Sequence, residues 1–165
     1  MLLYIIRHAW AYHHGDPRWP DDTQRPLSEK GCQRFAAVVD CLVERGFAPQ
    51  IIATSPLVRC RQTADLVAEG ILEPADVVEL DALEPGSDLE ALLAWTAEQA
   101  QRYAEVAWVG HAPDVGRLVA ALTGDGEGEI HFAKGGVAAV VLEDPPEPGQ
   151  GELRWLVTAK VLGVE

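Results

Sequence analysis

Basic residues are scarce in this 165-residue sequence: 13 lysines and arginines stand against 26 aspartates and glutamates, a formal net charge of −13. That balance argues against a nucleic-acid binder, which needs clustered Lys and Arg to meet phosphates. It leaves anionic substrates open, because a few arginines converging on one pocket outweigh a distant acidic surface. Cysteine is nearly absent: Cys32, Cys41 and Cys60 are the only three, with no CxxC pair, so the chain carries no disulfide framework. Cys32 and Cys41 fall on one expected helix, about 13 Å apart at 1.5 Å per residue, too far to bridge. Long hydrophobic runs are missing as well. The opening one, Leu2–Ile6, spans five residues, whereas a secretory h-region needs roughly 7–15 with a cationic flank ahead of it. The expectation is a cytoplasmic protein in a reducing compartment with no membrane attachment.

What the sequence does contain is an alternation of short apolar runs and amphipathic segments. Leu2–Ile6 has the length and composition of a strand buried on both faces. The turn-rich stretch AWAYHHGDPRWPDDTQRP follows, a loop long enough to be functional in a compact domain. A helix is expected from Ser28, its N-cap, to Gly46, with Cys32, Phe35, Val38, Val39, Leu42 and Val43 at helical spacing. Ile51–Thr54 reads as a second strand, followed by a helix with Ser55 as N-cap and Pro56 as its first residue, running to about Glu69. Val77–Leu80 is a third strand, Asp88 to about Gln101 a helix, Val106–Val109 a fourth strand, and Asp114 to Leu122 a helix. Val137–Leu142 and Leu153–Val161 read as two last strands, which the turn residues DPPEPGQG make an antiparallel hairpin. The reading is an α/β three-layer sandwich, mostly parallel, in a single domain over residues 1–165.

Three strand ends carry the chemistry. The first delivers Arg7 and His8, the second places Arg59 in the first turn of a helix, and the fourth delivers His111. If the strands are parallel, these ends share one edge of the sheet, where open α/β sheets gather ligands. Two arginines, two histidines and a helix N-terminus suit a tetrahedral oxyanion. Each of these residues alone has an ordinary reading as a surface or core side chain; their agreement at three separate strand ends is the signal.

The segments LYIIRHAWA, RPLSEKG, ATSPLVRCRQT and VGHAPDVGRL resemble, in order and spacing, the signatures of the histidine phosphatase superfamily. The short length is most similar to the small bacterial phosphohistidine phosphatases of the SixA type. The resemblance implies an α/β/α sandwich with a mixed six-stranded sheet, no cofactor and no metal, and a phosphohistidine intermediate on His8. It implies that Arg7, Arg59 and His111 hold the phosphoryl oxygens, and that Arg25 of RPLS is a further substrate-side residue. Glu84, in ALEPGSD after the third strand, stands where relatives carry a general acid. Flanking Arg7 and Arg59 would keep His8 neutral by like-charge repulsion. One departure is that Ala9 replaces the usual glycine of Arg-His-Gly, which is tolerable unless the position needs a positive φ.

The leading expectation is dephosphorylation of phosphohistidine in proteins, where the leaving imidazole, of pKa near ~6.5, makes an acid dispensable. A second is hydrolysis of a small phosphate ester such as a sugar or nucleotide phosphate. A third, from another class, is a non-catalytic phosphate-binding module. A deep pocket closed by the aromatic loop of Trp10, Tyr12 and Trp19 would favour the ester, and an open one the protein. The pocket needs one chain only, and the sequence says nothing of oligomeric state. His13, His14 and Asp16 read as solvated loop residues, Lys134 as a surface lysine, and the acidic GDGEGE lacks the spacing of a calcium loop.

Overall fold

The computed structural model describes residues 1–165. Six strands form one sheet: β1 (Leu2–Arg7), β2 (Ile51–Thr54), β3 (Asp76–Glu79), β4 (Glu105–Gly110), β5 (Val137–Val141) and β6 (Glu152–Val157). Their order is β3-β2-β4-β1-β5-β6, with β1 to β4 mutually parallel and β5 and β6 antiparallel. Four helices flank the sheet: α1 (Glu29–Val43), α2 (Val58–Gly70), α3 (Leu89–Ala100) and α4 (Asp114–Thr123).

The unbroken apolar run of β1 is explained by helices on both faces of the sheet. Tyr4 and Ile6 point into a core shared with Phe35, Val38 and Leu42 of α1 and Cys60, Ala64 and Val67 of α2. Leu3 and Ile5 point the other way, against Leu92 of α3 and Leu118, Val119 and Leu122 of α4. Each such fully buried side chain contributes about 1.5–3 kcal/mol relative to exposure. Trp108 of β4 is fully buried on the second face, where its indole N–H donates to the Thr96 hydroxyl at 3.2 Å. No helix is long and apolar enough to cross a membrane.

The expected architecture is the observed one, with differences at element ends. Ser28 caps α1 as expected, its hydroxyl accepting from the Gly31 N–H at 3.0 Å. Ser55 and Pro56 do not start α2. The helix begins at Val58 after an uncapped Leu57; the Ser55 hydroxyl lies 2.9 Å from the His111 ring and accepts only a longer, 3.4 Å bond from the Leu57 N–H. The last strand ends at Val157 rather than Val161, since the Thr158 hydroxyl accepts from the Val161 N–H and turns the chain. The loop after β1 contains one 3-10 turn, Asp22–Gln24, and a bridge between Ala11 and Leu27. Its aromatics pack locally. Tyr12 stacks on Trp19 at 4.7 Å with Arg18 against both rings, and Trp10 lies under Arg34 of α1.

The loop is anchored to α1 at one close approach. A Cβ built on Gly31 would lie 2.1 Å from the Trp10 carbonyl oxygen, which also accepts from the Ser28 N–H at 2.9 Å. Gly→Ala inside a helix ordinarily gains about 1 kcal/mol, but here the obstacle is backbone and cannot rotate away. Gly31→Ala is expected to destabilise by about 1–3 kcal/mol, read from the midpoint of urea unfolding. An unchanged or higher midpoint would show that the loop yields freely.

Candidate active site

The hydrogen-bond register of three parallel strands brings the site together. Arg7 of β1 pairs with Gly110 of β4, and Thr54 of β2 pairs with Val109 of β4. One residue further on, the His8 N–H donates to the Gly110 carbonyl and the Ser55 N–H to the Val109 carbonyl, both at 3.0 Å. His8, Ser55 and His111 therefore leave the sheet side by side. From β1 the chain goes to α1 on one face, and from β4 to α4 on the other. The gap between these diverging connections is where ligands sit in such sheets.

A cavity of about 800 Å³ opens at this edge, lined by Arg7, His8, Arg25, Arg59 and His111 together with Asp22, Asp114 and Lys134. Four of the residues expected from the strand ends, separated by up to 104 positions between Arg7 and His111, thus face one space. The His8 and His111 rings are 5.5 Å apart, centroid to centroid. His8 is 8% exposed, His111 and Arg59 4% each.

Hydrogen bonding fixes the His8 tautomer. Its Nδ1 lies 2.8 Å from the Ala9 carbonyl, which only accepts, so Nδ1 carries the hydrogen and Nε2 keeps its lone pair. Burial pushes the His8 pKa down to about 3; the Ala9 carbonyl opposes this, while Arg59, His111 and Arg7 add to it. Desolvation is thus the leading cause of a neutral His8, with the arginine repulsion inferred from sequence secondary. His111 is lowered to about 4, again first by burial and then by Arg59. Its Nε2 lies 2.9 Å from the Ser55 hydroxyl and its Nδ1 3.5 Å from an Arg59 nitrogen. Arg7 donates to the Phe132 carbonyl at 2.7 Å, which orients its guanidinium. Ala9 is fully buried, its N–H donating to the Thr63 hydroxyl at 3.0 Å. No residue other than glycine has a positive φ, so alanine fits this position without backbone strain.

Glu84 is a departure from expectation. It is exposed, and the lining comes from its neighbours Pro85 and Gly86. The reason is a tether from the other face: the Gly86 N–H donates to the Asp114 carboxylate of α4 at 2.8 Å. Arg25 does line the cavity, but its Nε is spent on Asp22 at 2.7 Å and its Nη1 on the Tyr12 carbonyl at 2.8 Å. Asp22 and Ser55 are the residues that sequence reasoning missed. Asp22 lies in an acidic, irregular loop with no periodicity, and the Ser55-Pro56 pair reads as a helix start. Of the loop aromatics only Tyr12 reaches the cavity. His14 pairs with Asp22 and Asp16 with Arg18, so the loop histidines and Asp16 do not gather, and no cluster of three potential ligands is assembled.

Comparison with known proteins agrees with this fold. The model of the histidine phosphatase superfamily (branch 1) matches residues 3–124. An uncharacterized protein of Picosynechococcus sp. is 36% identical over 139 residues, 83% of this chain and 82% of the relative. The phosphohistidine phosphatase SixA of Escherichia coli K12 is 29% identical over 156 residues, 94% of this chain and 92% of that protein. Among solved structures, the protein histidine phosphatase SixA complexed with tungstate superposes with a TM-score of 0.85 at 28% identity. That match covers 98% of this chain and 99% of the other.

The two depressed pKa values make acid stability a test of the site. Unfolded, each imidazole titrates near ~6.5; folded, His8 titrates at about 3 and His111 at about 4. The unfolded chain binds more protons across that window, so stability falls as pH drops below about 6.5 and continues to fall toward pH 3. Urea unfolding between pH 7.5 and 5 is expected to show this decline before the carboxylates titrate, and His8→Asn to flatten part of it. A His8 ring that protonates near pH 6.5 by NMR would contradict the buried, neutral site.

Proposed function

The chain belongs to the histidine phosphatase superfamily and is a phosphatase, and from that premise we propose that it hydrolyses phosphohistidine on proteins without a metal, with His8 as nucleophile. The observation that carries this reading is the His8 Nδ1–Ala9 carbonyl bond. It leaves a neutral Nε2 lone pair for attack at a site with five cationic side chains in its lining, Arg7, Arg25, Arg59, Arg117 and Lys134.

In the first step the bond from His8 Nε2 to phosphorus forms as the bond from phosphorus to the substrate imidazole breaks. Charge spreads over the three equatorial oxygens, and Arg7, Arg59 and His111 receive them. The substrate ring, protonated on its other nitrogen before the bond breaks, leaves as neutral imidazole; an imidazolium pKa of ~6.5 makes that form accessible near neutral pH, so the exposed Glu84 need not act. Water then attacks the phosphoryl group on His8, and phosphate departs as Nε2 recovers its electron pair. The Ser55 hydroxyl holds the His111 ring in orientation from behind.

The protein substrate is favoured over a small ester by the way the loop packs. Trp10 and Trp19 are engaged with Arg34, Tyr12 and Arg18 and do not line the cavity, where Tyr12 alone of the three contributes to the wall, so the loop's indoles form no lid over a metabolite. The substrate is a phosphorylated protein, and the site is complete within one chain.

Wild type and His8→Ala, assayed with EDTA on a phosphohistidine-bearing protein and on a panel of phosphate esters, test this reading. The expected result is turnover of the phosphoprotein that is lost in His8→Ala and reduced ~10²-fold or more in Arg59→Ala, as for a missing oxyanion donor. Ester turnover alone would move the assignment to a metabolite phosphatase. The absence of any His8-dependent turnover would leave a phosphate-binding module.

A further inference from the structure

The loop that follows His8 carries its own anion to the phosphoryl pocket. Asp22, in the 3-10 turn, accepts from Arg25 Nε at 2.7 Å and from His14 Nδ1 at 2.9 Å on one carboxylate oxygen. The other oxygen lies 3.2 Å from Arg59 Nη2, and the Asp22 backbone carbonyl accepts from Arg59 Nη1 at 2.8 Å. Both outer nitrogens of the buried Arg59 guanidinium are therefore engaged by one residue. These bonds, Arg25 first, hold the Asp22 carboxyl far below the usual carboxylate range, and it is ionised at any working pH.

We propose that Asp22 sets the anion affinity of the pocket by taking, on Arg59, the place of a phosphoryl oxygen, so that substrate and product phosphate must compete with it. The inference rests on the phosphatase reading of the pocket. Three features distinguish a competitor from a residue that merely orients Arg59. The Asp22 side chain is 39% exposed while that of Arg59 is 5% exposed, which puts the carboxylate on the open side, where an anion arrives. Its contact with Arg59 is longer than those with Arg25 and His14. Those two partners belong to the same loop, so an incoming anion breaks only the contacts to Arg59 and leaves the loop's own cluster whole.

The consequence is a pocket that holds free phosphate weakly despite its arginines. Affinity must then come from the rest of a large substrate, and the small product leaves readily. That suits an enzyme whose substrate is a protein, because contacts away from phosphorus supply binding that phosphate alone lacks.

Calorimetric titration of inorganic phosphate into wild type, Asp22→Asn and Asp22→Ala tests the proposal, with phosphate inhibition of turnover measured in parallel. Both variants are expected to bind phosphate tighter by roughly 10-fold or more, since a fixed charge a few ångströms from the anion is removed, and to be inhibited at correspondingly lower phosphate. Unchanged or weaker binding in correctly folded variants would overturn the role of Asp22 and, with His8-dependent turnover intact, leave the phosphatase reading standing. Absence of both phosphate binding and His8-dependent turnover in every form would overturn the two together.

Discussion

The pairing of β1 with β4 is the constraint on which the rest of the structure depends. Its ladder ends with the His8 N–H on the Gly110 carbonyl, and this one bond sets His8 beside His111. A one-residue slip would turn the alternating side chains of β1 to the opposite faces, exchanging Leu3 and Ile5 with Tyr4 and Ile6 between two cores of different shape. The hydrophobic packing that stabilises the sheet thus also fixes the register of the site. Strand β2 extends the same edge through the Ser55 N–H, and α2 follows at once to present Arg59.

Placing cations and imidazoles at a partly dry edge has an electrostatic consequence that the structure resolves in two ways. The histidines are kept neutral, chiefly by desolvation, and the arginines, which stay charged, are given oxygen partners. Arg7 has the Phe132 carbonyl; Arg25 and Arg59 have Asp22. The acidic surface implied by the net charge of −13 is compatible with an anion site because these few cations are local to the cavity while most carboxylates are not. Asp22 and Asp114 are the exceptions, and the position of Asp22 against Arg59 is what gives it consequence.

Likeness to the SixA phosphatase of Escherichia coli over 94% of this chain accords with the absence of an inserted segment above the cavity. The loop from Trp10 to Leu27 is a long irregular stretch at this edge, and its aromatics are committed to Arg18 and Arg34. The substitution of alanine at position 9 is accommodated because its backbone lies in an ordinary region, and Thr63 satisfies its N–H.

The sequence by itself determined the order of the elements, the burial of β1 on both faces and the identity of the cavity's principal cations and imidazoles. Those follow from local signals: apolar runs of strand length, helical spacing, a capping Ser28, and charged residues set immediately after strands. Tertiary structure alone decided what touches what. Nothing local says that the Ser55 hydroxyl meets His111, because that partner is delivered by β4, a strand far along the chain. Nothing local removes Glu84 from the cavity, since the Asp114–Gly86 bond that orients its loop joins two separate connections. Asp22 looked like one acid among 26 until folding laid its loop across Arg59. Long-range placement of a polar side chain leaves no periodicity to read, and that is why the strand-end residues were legible and their partners were not.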